Sequence, residues 1–203
     1  MQKPWWAPLA GVAFIVVLIV SFIVAGEPPD ADSPVGEIVD HYVDNKDAIM
    51  VGTALASLAA ALLVFFAGVL RSLLAAAEGP GGVLSAVAFA GAVIVAVGAA
   101  IDGTIAFAIA EAADDIEPSS VQALQALWDN DFLPIALGGA LFMLASGLSI
   151  VRHGALPKWL GWAAIVIGVI GLTPLGFISF GLSGLWILVA SVLYALRLRR
   201  APA

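Results

Sequence analysis

Apolar residues run along this chain in six stretches, at about 6–25, 48–70, 83–110, 132–151, 159–177 and 182–196, with almost no charge inside them. Several reach the ~20 residues that a helix needs to cross ~30 Å of hydrocarbon. Two long polar loops, 26–47 and 111–131, and three short links separate them. The pattern predicts an all-α, polytopic transmembrane six-helix bundle, a single integral membrane domain over 1–203.

Each long loop holds a short amphipathic segment. In the first, Ser33 is placed to cap a helix with Pro34 at its first position. Ile38, Val39, Tyr42 and Val43 share one face, and Glu37, Asp40, His41 and Asp44 the other. In the second, Pro118 and Ser119 open a helix with Val121, Leu124, Leu127 and Trp128 on one side. Such helices lie at the interface or fold over a bundle.

The two segments end alike, Val43-Asp44-Asn45 and Trp128-Asp129-Asn130, and the spans after them reach Arg71 and Arg152. The sixth span ends at Arg197. The spacing predicts three helical hairpins, the first two carrying the outer helices and the third turning tightly near 181–184. They form a parallel repeat about the membrane normal. Small residues recur at packing intervals: Gly52, Ala56 and Ala60; Ala92, Ala96 and Ala100; Gly161, Gly168 and Gly171. They let helices approach closely, within the chain or across a dimer.

Composition agrees with a lipid environment. The chain is 62% hydrophobic and 11% charged, against about 45–50% and about 25% in soluble domains. The first apolar run competes with a signal peptide. Its core exceeds the usual ~7–15 residues, and no small-x-small cleavage site precedes Glu27, so an uncleaved helix is expected. The absence of cysteine removes disulfide and thiolate chemistry.

Charge sets the orientation. Of the 8 Lys and Arg residues, all but Lys46 fall on the side of the two termini. The N- and C-termini are therefore expected in the cytoplasm, in a multi-pass protein of the cell membrane. Of the 15 carboxylates, all but Glu78 and Asp102 fall in the outer loops and leave that face acidic. A net charge of -7 argues against nucleic acid. The partners implied are the lipid bilayer and either a second copy or another membrane protein.

Asp102 is the ionisable residue that lies well inside an apolar run. A mid-membrane Asp costs ~2.5–3.5 kcal/mol and usually has a partner. Thr53 at similar depth, Thr173, and Lys46 through its long stem are the candidates. Functionally Asp102 would be a proton or cation site, or a polar anchor in an outward-facing pocket; structurally it would pin helices together. Asp40, His41 and Asp44 share a helical face where a divalent ion would find ligands, but a solvated acidic face accounts for them equally. His153 favours the end of its helix. Pro174, beside Gly171 and Gly176, marks a kink, a helix end or a broken helix.

No catalytic set appears: neither Gly-x-Ser-x-Gly nor His-Glu-x-x-His nor a phosphate loop is present. The link Glu78-Gly79-Pro80-Gly81-Gly82 lacks the lysine of a nucleotide loop and reads as a turn. No cofactor is implied.

Several stretches carry a family likeness: Glu37-Ile38-Val39 through Tyr42 and Asp44-Asn45, Phe65-Phe66 through Leu70-Arg71, Ala77-Glu78-Gly79, and Leu156-Pro157-Lys158-Trp159-Leu160-Gly161-Trp162. With them the chain resembles an uncharacterised group of small bacterial membrane proteins with six or so spans. The likeness implies the architecture and brings no activity. The expected function is that of a non-enzymatic accessory, sensor or interaction protein. The alternative is a small transporter or binder using Asp102.

Overall fold

The computed structural model describes residues 4–200, so Lys3 lies outside the described residues. These residues are helical throughout their ordered elements. A 3-10 turn, Ala7–Leu9, opened by Pro8, leads into α1 (Ala10–Ala25). There follow α2 (Val35–Asp44), α3 (Lys46–Glu78), α4 (Leu84–Ala112), α5 (Pro118–Trp128), α6 (Leu133–His153), α7 (Lys158–Gly171) and α8 (Gly176–Arg200). Among the described residues, α1, α3, α4, α6 and α8 lie in five segments long and apolar enough to cross a membrane, and α7 is a shorter apolar helix.

The long helices pack in chain order: α1 on α3, α3 on α4, α4 on α6, α6 on α7, α7 on α8, with α8 closing back on α1. The short α2 and α5 pack on each other at one end, called here the cap end. The opposite end carries the start of α1 and the end of α8.

Close helix approach depends on glycine at two crossings. A Cβ on Gly138 of α6 would stand 2.7 Å from the Gly91 carbonyl oxygen of α4, and one on Gly91 would stand 2.5 Å from Phe142 N. Gly147 of α6 and Gly161 of α7 touch in the same way, at 2.6 Å from a Gly147 Cβ to the Gly161 oxygen. Gly52 rests on Ala25 and Gly168 on Leu144. Gly52 on α3 and Gly161, Gly168 and Gly171 on α7 thus pack inside the chain. On α4 the contact is carried by Gly91, Ala92 and Gly98 rather than by Ala96 and Ala100. The core of the long helices includes Phe66, Leu70, Met143 and Trp186, whose indole donates to the Leu160 carbonyl at 2.8 Å.

Three boundaries differ from the apolar pattern. At α2, Pro34 itself is the N-cap with extended ψ of 131°, Val35 is the first helical residue, and no Ser33 side chain caps the helix. At α3, the helix runs past Arg71 to Glu78, while Arg71 lies over the Phe89 ring at 5.7 Å. The largest difference is the last turn. It falls at 172–175, not near 181–184, so the spans read as 159–177 and 182–196 are Lys158–Gly171 and Gly176–Arg200.

Pro174 explains that correction. It lacks an N–H and disfavours helical backbone in the residue before it. The Thr173 hydroxyl donates to the Ile170 carbonyl at 2.7 Å and accepts the Leu175 N–H at 3.2 Å, which satisfies groups the helix drops. The glycines at 181 and 184 each cost a helix only ~1 kcal/mol. In apolar surroundings their backbone groups are satisfied best by the helix itself.

Candidate functional site

The cap is built from side chains that tie the two polar loops together. Ile38 and Tyr42 of α2 are buried against Val121 of α5 and Ile109 of α4. The Tyr42 hydroxyl donates to Gln125 Oε1 at 2.6 Å, and Gln125 Nε2 donates to Asp129 Oδ1 at 2.8 Å. Asp129 Oδ2 accepts the Ala31 N–H at 2.9 Å, and the Ala31 carbonyl accepts from Gln122 Nε2 at 2.9 Å. The first loop is thereby laced to α5. Tyr42 is 1% exposed and Gln125 fully buried. A buried hydrogen bond is worth ~0.5–1.5 kcal/mol net, and a broken one costs more. Burial, with the Asp129 and Asp102 carboxylates nearby, pushes the Tyr42 phenol above its ordinary range.

Asp102 lies half-buried on α4, directly beneath this cap. The Trp128 indole N–H lies within hydrogen-bonding reach of its carboxyl, and the Asp131 carboxylate within electrostatic reach. Asp131 Oδ2 is buried without a hydrogen-bond partner.

Of the partners expected for Asp102, Lys46 and Thr173 are engaged elsewhere, and Thr53 packs on the neighbouring Gly103. Lys46 Nζ binds Glu111, at 3.4 Å to Oε1 and 3.3 Å to the carbonyl oxygen, which clamps the start of α3 to the end of α4. Being substantially exposed, that pair contributes ~0–1 kcal/mol. Thr53 directs its methyl to the α4 backbone, 3.1 Å from where a Cβ on Gly103 would lie. Thr173 belongs to the α7–α8 turn and is engaged there. Asp40, His41 and Asp44 lie on α2 as expected. Among the described residues no three His, Asp or Glu converge to hold a metal ion. The His41 imidazole stands edge-on to Tyr42 at 5.5 Å between centroids, and burial lowers its pKa below the ordinary 6.5. His153 closes α6 before Gly154, which takes the left-handed conformation at φ 73°.

Two groups carry more than their sequence positions suggested. Glu78 ends α3 and accepts from Ser149 of α6 at 2.7 Å and from Ser85 of α4 at 3.2 Å, so one carboxylate ties three helices at the end opposite the cap. Its lone position among the basic residues of that side was the available signal. Trp128 read as part of an amphipathic face, and nothing local in the sequence pairs it with Asp102.

A cavity of about 900 Å³ opens between α1, α6 and the first half of α8, on the cap-end side of the bundle. Leu63 of α3 and Ala92 and Val95 of α4 form its floor. Its lining is apolar apart from Thr173, Ser179 and Ser183. Phe22, Phe132, Phe177 and Phe180 border it and are largely exposed. The space lies where α7 has stopped at Gly171 and where glycines of α8 and α6 face open room: a Cβ on Gly181, or on Gly139 across the cavity, would meet nothing within 4 Å. Neither Asp102 nor Thr53 lines it, whereas Thr173 does.

No family model matches the chain, and neither a curated protein nor a solved structure matches it.

Proposed function

We propose that this is a multi-pass integral membrane protein, with six crossings as three hairpins and both ends cytoplasmic, that works as a non-enzymatic interaction protein through its outward acidic cap. The five long apolar segments, the side-to-side bias of Lys and Arg, and the exposed rings of Trp5, Trp6, Trp159 and Trp162 at the end opposite the cap support the orientation. The α7 helix is ~21 Å long at ~1.5 Å per residue. The parity holds whether α7 and α8 cross fully or form a shallower hairpin, since either returns the chain to the side where α6 ends.

The observation that carries the functional reading is the lacing of the two outer loops through Tyr42, Gln125, Asp129 and Ala31. It makes the cap one rigid body that presents exposed carboxylates, among them Glu37, Asp40 and Asp115. Such a surface recognises a basic segment of a partner protein by charge complementarity. Photocrosslinkers at Glu37 and Asp115 in native membranes test this. A defined adduct should form, and it should vanish in 0.5 M salt and when neighbouring carboxylates are converted to amides. An adduct indifferent to both overturns the reading.

A second reading follows from Asp102, which lies within electrostatic reach of Asp131, whose Oδ2 is buried without a hydrogen-bond partner. There the protein binds a small cation between the two carboxylates. Sodium or potassium should raise the melting temperature of the wild type and leave Asp102→Asn unmoved. A wild type insensitive to both ions removes this reading.

A further inference from the structure

We infer that the cavity between α1, α6 and α8 holds one acyl chain of a zwitterionic phospholipid that enters sideways from the cap-side leaflet. The inference rests on the membrane reading above but not on the cap's partner or on Asp102.

The cavity's volume, about 900 Å³, lies near the top of the ~300–1,000 Å³ range of small-molecule sites. Water is a poor occupant. An ordered water needs about 2–4 polar partners, and of the three hydroxyls on the wall two are committed. Thr173 donates to the Ile170 carbonyl and Ser179 to the Gly176 carbonyl, each at 2.7 Å. An empty space would forfeit dispersion contacts along every wall. An apolar chain satisfies both conditions.

Shape and depth select the chain. The α6 wall runs from Phe132 to Phe142, ~15 Å at the helical rise, about half of a ~30 Å hydrocarbon core. The site is thus one leaflet deep. Its border of exposed Phe22, Phe132, Phe177 and Phe180 faces the surroundings of the bundle, so a tail reaches it without leaving the bilayer. The head group follows from the charges at the ends of the two flanking helices. Exposed Glu27 follows α1, and exposed Asp129 precedes α6. A net-anionic head placed between them meets like charge alone, whereas the ammonium of a zwitterionic head offsets the repulsion on its phosphate.

The test uses the full chain in nanodiscs of mixed phosphatidylcholine and phosphatidylglycerol, with carbonate-resistant flotation first establishing that the chain is membrane-integrated. Failure of flotation removes the membrane reading itself. After detergent exchange, native mass spectrometry should find one phosphatidylcholine retained per chain, favoured at least fivefold over phosphatidylglycerol. Gly139→Leu and Gly181→Leu fill the cavity from opposite walls where a Cβ meets nothing. Each should reduce retention at least tenfold while keeping the wild-type melting temperature within a few degrees. A floating wild type that retains no lipid, retention unchanged in both filled variants, or equal retention of the two head groups overturns the inference.

Discussion

The Tyr42 hydroxyl and the Gln125 side-chain carbonyl meet at 2.6 Å across a sequence separation of 83 residues, and neither side chain is reached by solvent to any extent. One amphipathic helix from each polar loop is held by this contact. Tyr42→Phe keeps the ring and removes the donor, leaving Gln125 Oε1 buried and unpaired. The expected cost is ~1–3 kcal/mol of cap stability. It should appear as faster amide exchange in α2 and α5, with the long helices unchanged. Uniform exchange changes along the chain would contradict a locally held cap.

Acid should loosen the same cap. Burial lowers the His41 pKa below 6.5, so the folded state resists a proton that the unfolded state accepts. Below the folded pKa both states are protonated. The stability gap is therefore absent above the unfolded value and opens as pH falls through it, lowering stability. Exchange in α2, corrected for intrinsic rates, should rise between pH 7.5 and 5.5. His41→Gln should flatten that slope, and an equal slope in the variant would place the sensitive group elsewhere.

Adjacent glycines on α6 should respond in opposite directions. A methyl at Gly138 would press on the α4 backbone at Gly91 and Val95, whereas one at Gly139 meets nothing within 4 Å. Gly138→Ala is expected to lower the melting temperature by several degrees. Gly139→Ala, freed of that clash, should hold or raise it, because alanine favours a helix by ~1 kcal/mol over glycine. Two equal shifts of one sign would refute the observed α4–α6 crossing.

At the opposite end, Glu78→Ala should strand the Ser149 hydroxyl, which is fully buried. Loss of ~1–3 kcal/mol is expected. Glu78→Gln keeps an acceptor and should recover part of it. Detergent-denaturation midpoints of the two variants give the comparison, and identical midpoints would reduce Glu78 to a turn residue.

Much of the helix order was legible because long apolar runs and proline or glycine stops are local signals. Pro118 opens α5 as its position indicates, and the long α3 and α4 follow their apolar runs. The α7–α8 turn was misplaced because 172–175 and 181–184 are both apolar and glycine-flanked. Only the lost N–H of Pro174, taken with the Thr173 hydroxyl, separates them. Asp102 was recognisable as an anomaly, but its surroundings were not. Trp128 and Asp131 reach it through the way α5 folds back over α4, and Lys46 is diverted to Glu111 by a contact that only the fold creates. The cavity was likewise invisible, since it is a property of where side chains are missing.

The brevity of α7 bears on where such a protein resides. A 14-residue helix spans ~21 Å, while its neighbours α6 and α8 have 21 and 25 residues, about two and three turns more. No single membrane thickness fits all of them. On the membrane reading proposed above, lipid beside the α7–α8 turn would shorten while lipid beside α3 would not, and each ångström of misfit costs a fraction of a kcal/mol. Thin bilayers would relieve that strain and thick ones add to it, so on that reading this one truncated helix biases the protein toward thinner regions of membrane.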